Sequence, residues 1–295
     1  MLLGMGIEQN PEDGSIKLFQ TTYIDSLLKK HSLEDANPVS TPLDPNTKLD
    51  VDPTDPNDPN DPESQRELIE RASAGYATLI GSLMYLAIGT RPDIAYSVQR
   101  LAQFTQNPKP AHWTAVKRIF RYLKGTRTLG ITYDGSDEIN DQELNIYCDA
   151  DWASDSDRKS ISGYVLTLAG GAVAWSSKKQ TTVALSTAEA EYVAATHCAK
   201  QVIWHRSLLN EAEIPIPSTS TIFLDNQAAV SIVHHPEHHA RTKHINIAHH
   251  FLCDLVQNGT LNLVYINTEY NLADIFTKSL PKAVHQDLTY EIGIL

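Results

Sequence analysis

The stretch Leu144-Asn145-Ile146-Tyr147-Cys148-Asp149-Ala150-Asp151-Trp152 has the period of a β-strand. Leu144, Ile146 and Cys148 fall on one face, Tyr147 and Asp149 on the other. An acid inside such a pattern is costly unless something positive neutralises it, and no basic residue is interleaved here.

Three further stretches pose the same problem: Ser186-Thr187-Ala188-Glu189-Ala190-Glu191-Tyr192, Phe223-Leu224-Asp225-Asn226-Gln227 and Asn271-Leu272-Ala273-Asp274-Ile275. Each sets an acid in an apolar strand or helix pattern. A divalent cation is the natural partner, because hard ions such as Mg²⁺ prefer carboxylate oxygens and keep waters for chemistry.

Outward from Leu144, residues 164–168 and 172–175 form a predicted hairpin turning at Gly170-Gly171. A long helix over 187–209 follows. Then come a strand over 221–224, a short helix, a helix over 246–258 stopped by Gly259, a strand over 261–266 and a last helix from Leu272. Strands first and then alternating helix and strand predict an α/β fold, a mixed sheet covered by helices.

Upstream, Ile16 to Phe19 reads as a strand, and Thr21 or Thr22 caps a helix with Ile24, Leu27 and Leu28 on one face. Val51 to Glu63 repeats Asp-Pro four times, an extended, solvated linker. Three helical patterns follow: Ile80, Leu83, Met84 and Ala87; a Pro92-led turn carrying Ile94, Val98 and Leu101; and Trp113, Val116, Phe120 and Leu123, ending at Gly125.

Each acid has a structural alternative. Ser186 and Glu189 match a capping box, with Glu189 reaching back to the Ser186 amide and sharing an exposed face with Val193, Thr196 and Lys200. Glu191 instead heads a stripe of Ala194, Ala195, Cys198 and Val202 suited to lying on a sheet, so Glu191 is the favoured ligand. Asp149 is favoured over Asp151, which lies nearer the strand end. Asp225 competes with a role as helix N-cap, and Asp274 with a role as a first-turn acid behind an Asn271 cap. The specificity lies in the set of four.

The net charge of −12 would by itself disfavour a polyanionic partner, but it is unevenly spread. Much of the acid sits between Leu43 and Glu70, whereas 91–127 holds eight basic residues against Asp93. Lys117, Arg121 and Lys124 share a helix face that contacts phosphates or is simply solvated. Cys148, Cys198 and Cys253 form no CxxC pair, which argues against a disulfide framework and suits a reducing compartment. Apolar runs are too short for a membrane span, and the start has no signal-peptide pattern. Seven of the 12 histidines cluster between His234 and His250, with spacings that match no zinc finger. Surface polar roles are expected for them, with Arg241, Lys243 and His244 as nucleic-acid contacts.

The wording resembles the end of a copia-type retrotransposon Pol polyprotein over nearly the whole chain. In the second half the resemblance rests on Asp-Arg-Lys-Ser-Ile-Ser-Gly-Tyr (157–164), Leu-Ser-Thr-Ala-Glu-Ala-Glu-Tyr (185–192), Leu-Asp-Asn-Gln (224–227), Arg-Thr-Lys-His-Ile (241–245) and Leu-Ala-Asp-Ile-Phe-Thr-Lys (272–278). In the first it rests on Pro-Val-Ser-Thr-Pro (38–42), Ile-Gly-Ser-Leu-Met-Tyr-Leu-Ala (80–87), Thr-Arg-Pro-Asp-Ile-Ala-Tyr (90–96) and Ala-Val-Lys-Arg-Ile-Phe-Arg-Tyr-Leu-Lys-Gly-Thr (115–126).

The resemblance implies an RNase H-like mixed five-stranded sheet over 140–282. A mainly helical reverse-transcriptase remnant would precede it over 1–138, with the linker at 51–64, and a tail would follow over 283–295. It implies Asp149, Glu191, Asp225 and Asp274 as metal-binding and catalytic acids. They would hold two Mg²⁺ ions, with Mn²⁺ able to substitute, to hydrolyse the RNA strand of an RNA–DNA hybrid. The implied partners are that hybrid and the upstream reverse-transcriptase palm and fingers, in a cytoplasmic setting, a virus-like particle or the nucleus, with no membrane. The Tyr-x-Asp-Asp pair of a polymerase palm is absent from the sequence, so DNA synthesis by this chain alone is not expected. Residues 265–272 hold no histidine where cellular ribonucleases H carry one. The alternative is a catalytically inactive, nucleic-acid-binding remnant of a decayed element.

Overall fold

The computed structural model describes residues 3–47, 49, 63–135, 144–153, 157–234 and 246–295, with backbone alone over 63–73 and 246–249. The alternating stretch forms β4 (Asn145–Asp151), the central strand of a five-stranded sheet. β5 (Ile161–Leu168) runs antiparallel to β4, with Asp149 opposite Gly163, and β6 (Gly171–Lys179) runs antiparallel to β5. On the other side β7 (Ser220–Leu224) and β8 (Leu261–Tyr265) run parallel, giving the order β6-β5-β4-β7-β8. This is the expected mixed RNase H-like sheet.

Helix α5 (Thr187–Glu211) lies on one face of the sheet. Glu191, Ala194, Ala195, Cys198 and Val202 are all buried along it, because a stripe of small side chains lets the helix approach Ile146, Cys148, Tyr164 and Ile222 closely. α6 (Gln227–His234) and α7 (Asn246–Gln257) complete that layer.

The other face is covered by the N-terminal half. α2 (Glu63–Gly89), α3 (Ala95–Ala102) and α4 (Pro110–Gly125) share one core with Val165, Ala172, Ile275 and Phe276. Trp175 Nε1 of β6 donates to the Ala87 carbonyl of α2 at 2.8 Å, tying the layers together. Within this core Arg91 is fully buried, with Nε and Nη2 on the two Asp93 oxygens at 2.9 and 2.7 Å, and Tyr122 donates to Asp93 at 2.6 Å. The Thr-Arg-Pro-Asp stretch is thus a buried, satisfied ion pair.

Several details depart from the sequence reading. A three-stranded sheet of β1 (Gly6–Gln9), β2 (Ile16–Phe19) and β3 (Ile131–Tyr133) was not foreseen beyond its middle strand. α1 (Thr21–Lys30) buries Ile24, Leu27 and Leu28 as expected, but Thr21 spends its hydroxyl on the Arg127 carbonyl and neither threonine caps the helix. Met84 is exposed, and Leu86 takes the core position. The hairpin turns at Ala169 and Gly170, both left-handed, and Gly171 already belongs to β6. The last predicted helix is a 3₁₀ turn (Leu272–Phe276), separated by Pro281 from α8 (Lys282–Glu291). After α8 the chain returns to β3, where Thr132 donates to the Gly293 carbonyl and Gly130 to that of Leu295. Most of the Asp-Pro segment lies outside the described residues. Among those described, no helix is long and apolar enough to cross a membrane, and the three cysteines are buried and in no disulfide.

Candidate metal centre

β4 and β7 are adjacent and parallel, with Tyr147 opposite Phe223. Two residues further on, the period of two sets Asp149 and Asp225 side by side at the carboxyl ends of these strands. Asp225 is spared from capping because Asn226 Oδ1 accepts the Ala229 amide at 3.0 Å. Thr268 Oγ1 donates to Asp225 Oδ2 at 2.5 Å.

Asp274 arrives on the 3₁₀ turn, which Asn271 pins from inside the protein. Asn271 is fully buried: Oδ1 accepts the Ala273 amide at 3.1 Å, and Nδ2 donates to the Cys148 carbonyl at 3.0 Å. The cap is therefore also a bridge to the central strand. Thr277, closing the same turn, donates its hydroxyl to Asp149 Oδ2. One carboxylate oxygen from each of Asp149, Asp225 and Asp274 lies within 4.8 Å of the other two.

Glu191 approaches from α5. It receives the Ala150 amide, and its Oε2 is buried without a donor. Burial, then the charges of Asp149 and Asp225, push its carboxyl up to about 10. Burial and Asp149 likewise push Asp274 up to about 7, against the pull of Lys278. Glu189 instead accepts the Leu185 amide at 2.7 Å, one residue from the expected Ser186 amide, while Ser186 Oγ caps the Glu189 amide at 3.2 Å.

One charged group escaped the sequence reading. Lys278 Nζ lies 2.8 Å from Asp274 Oδ1 and 3.9 Å from Asp149 Oδ2, so a basic residue does stand beside these acids. The signal was its position four residues after Asp274. A single ammonium still leaves the acids in excess, as the raised Glu191 carboxyl shows.

These donors fit a divalent ion. Asp149, Asp225 and Asp274 offer hard oxygens within 4.8 Å of one another, and ligand distances of about 2.0–2.6 Å place opposed oxygens about 4–5 Å apart; Glu191 stands outside this group of three, its Oε2 a buried acceptor without a donor. Of the other predicted contacts, Lys117 is exposed and Lys124 half-buried on α4, whereas Arg121 donates to the Asn37 carbonyl at 2.6 Å. Arg241, Lys243 and His244 lie outside the described residues. His234 is within 3.2 Å of the Leu263 carbonyl, a structural contact.

The sequence is 39% identical over 282 residues to the Retrovirus-related Pol polyprotein from transposon TNT 1-94 of Nicotiana tabacum, covering 95% of this chain and 20% of that protein. It is 38% identical over 291 residues to the corresponding polyprotein from transposon RE1 of Arabidopsis thaliana, covering 98% and 19%. The chain belongs to the copia-type Pol family. It spans about a fifth of the length of these curated Pol relatives. No protein-family model matches it. Among solved structures, LC11-RNase H1 isolated from compost is 17% identical, covering 46% of this chain and 93% of that one, at a TM-score of 0.37. The strand order, rather than that superposition, defines the RNase H-like half of this Pol segment.

Proposed function

We propose that this copia-type segment is a metal-dependent endonuclease that hydrolyses the RNA strand of RNA–DNA hybrids. One observation carries the reading: acids from β4, the end of β7 and the 3₁₀ turn converge within 4.8 Å, with Glu191 packed against them. Asp149, Glu191, Asp225 and Asp274 would hold the ions, Mg²⁺ or Mn²⁺. When bound, such ions neutralise the phosphate, activate water and stabilise the leaving 3′ oxygen.

The chain's own residues do the positioning. Thr277 and Thr268 fix the rotation of Asp149 and Asp225, and Asn271 locks the turn bearing Asp274 to the central strand. Lys278 supplies a positive charge at the edge of the cluster. RNA would be told from DNA by its 2′-hydroxyl and by groove shape. Within a full polyprotein the upstream palm and fingers would deliver the hybrid.

The experiment is cleavage of an end-labelled hybrid with Mg²⁺ or Mn²⁺, using Asp225→Asn as control. Cleavage by the wild type, lost in the variant, supports the reading. A hybrid left intact under both metals overturns it.

A further inference from the structure

On the α5 side of the sheet, β5, β6 and α5 line an open cavity of about 220 Å³. Ser162, Lys178 and Lys179 line it from the strands, Gln180 from just beyond β6, and Thr196, His197 and Lys200 from the helix. Ser162 pairs directly with Lys178, so the two share a sheet face. Glu189's side of the helix, expected to be simply exposed, forms this wall.

Three lysines line the cavity, of which Lys179 is committed to Asp157 Oδ1 and Gln103 Oε1, both at 3.0 Å. No carboxylate borders the cavity, and among the described residues neither Lys178 nor Lys200 forms an ion pair. Lys200 Nζ stands over the Phe251 ring, 6.0 Å from its centroid. Burial and then both lysines hold the His197 imidazole below its ordinary pKa, so the three groups sense one another. His197 is steadied edge-to-face on Tyr164, with ring centroids 5.2 Å apart.

The lining is also rich in donors. Gln180 Nε2 donates to Ser162 Oγ and to the Ala190 carbonyl, both at 2.9 Å, so the Ser162 hydroxyl accepts here and keeps its own proton to donate, while Gln180 Oε1 is buried without a donor. The same amide fixes the cavity to the residue preceding Glu191. Like charges gathered without a counter-charge oppose folding, whereas an anion turns them into binding energy.

We propose that this cavity holds a backbone phosphate of the bound hybrid, gripped by Lys178, Lys200, His197 and the Ser162 hydroxyl. The proposal rests on the hybrid-nuclease reading and adds a second anchor, which sets the track of the substrate relative to Glu191. No covalent step is involved.

The test is binding of a fluorescent RNA–DNA hybrid in chelator, where cleavage does not obscure affinity. Lys178→Gln/Lys200→Gln should weaken binding about tenfold and flatten the slope of log affinity against log salt by about one. A Lys29→Gln/Lys30→Gln pair, on α1, should leave both unchanged. Because Lys178 and Lys200 are exposed and, among the described residues, form no ion pair, the double variant should melt at or above the wild-type temperature, and inorganic phosphate should stabilise the wild type alone. Unchanged affinity and salt slope, or an equal loss in the α1 pair, overturns the proposal. Absence of hydrolysis under Mg²⁺ would instead count against the nuclease reading, with the binding comparison still decisive for the cavity.

Discussion

Lys278 Nζ stands 2.8 Å from Asp274 Oδ1 and 3.9 Å from Asp149 Oδ2, at the edge of the space where the acids converge. Burial works against its charge, but Asp149 and Asp274 outweigh that, and its pKa is raised. The ammonium thus acts as an internal counter-ion. Lys278→Met should lower the stability of the metal-free protein by about 1 kcal/mol, a partly exposed pair being worth less than a fully buried one. The same variant should gain more from Mg²⁺ than the wild type does. Melting curves with and without Mg²⁺ check both, and equal metal increments would show that Lys278 does not compensate the acids.

Thr277 is buried and commits its hydroxyl to Asp149 Oδ2. Removing the partner that orients a metal-binding carboxylate typically costs about 10–100-fold in metal affinity or activity. Thr277→Val should therefore slow hybrid cleavage by about that factor with its shape preserved, and Thr277→Ser should restore most of the rate. A valine variant as fast as the wild type would remove Thr277 from the positioning set.

The raised carboxyls make the metal-free protein sensitive to base. Glu191 is pushed from 4.5 up to about 10 and Asp274 from 3.8 up to about 7, so the folded chain holds protons that the unfolded chain releases. That contribution is complete below the unfolded values, shrinks as pH rises through 7 and is lost through 10. The metal-free melting temperature should fall between roughly pH 5 and pH 9 through this linkage. Glu191→Gln should flatten the alkaline part of the decline. Thermal melts in chelator across that range decide it, a flat wild-type curve being the contrary result.

Much of this was legible because period-two and period-3.6 patterns are local. The central strand, the stripe from Glu191 to Val202 and the apolar ends of β7 and β8 follow from alternation alone. The three-stranded sheet was not legible. Its outer strands are short, and β3 pairs with β2 from more than a hundred residues away, so no window contains both. The 3₁₀ turn was mistaken for a full helix because Leu272, Ile275 and Phe276 fit either geometry over so short a span. The roles of Asn271, Thr277 and Lys278 depend on contacts with β4, which the sequence around them does not record. The cavity beside α5 was missed for the opposite reason: lysines on a helix and an edge strand are usually solvated, and only the strand register brings Lys178 over to Lys200.

Gly163 faces Asp149 across the β4–β5 pair, and the 3₁₀ turn crosses directly above it. A Cβ there would meet Thr277 Cγ2 at 2.7 Å, Phe276 Cβ at 2.8 Å and the Ala273 carbonyl at 3.1 Å. None of these is the loose end of a flexible chain, so the turn must move outward, carrying Asp274 and Thr277 away from Asp149. Gly163→Ala should cost about 1–3 kcal/mol, as overpacking does. Its effect on hybrid cleavage should be larger than that loss suggests, because a displacement of about 1 Å at reacting groups can cost 100-fold in rate. Below the melting transition the variant should remain folded by circular dichroism yet cleave far more slowly, with weakened Mg²⁺ stabilisation. Full activity in a folded Gly163→Ala protein would show that the acids do not need the turn seated on this strand.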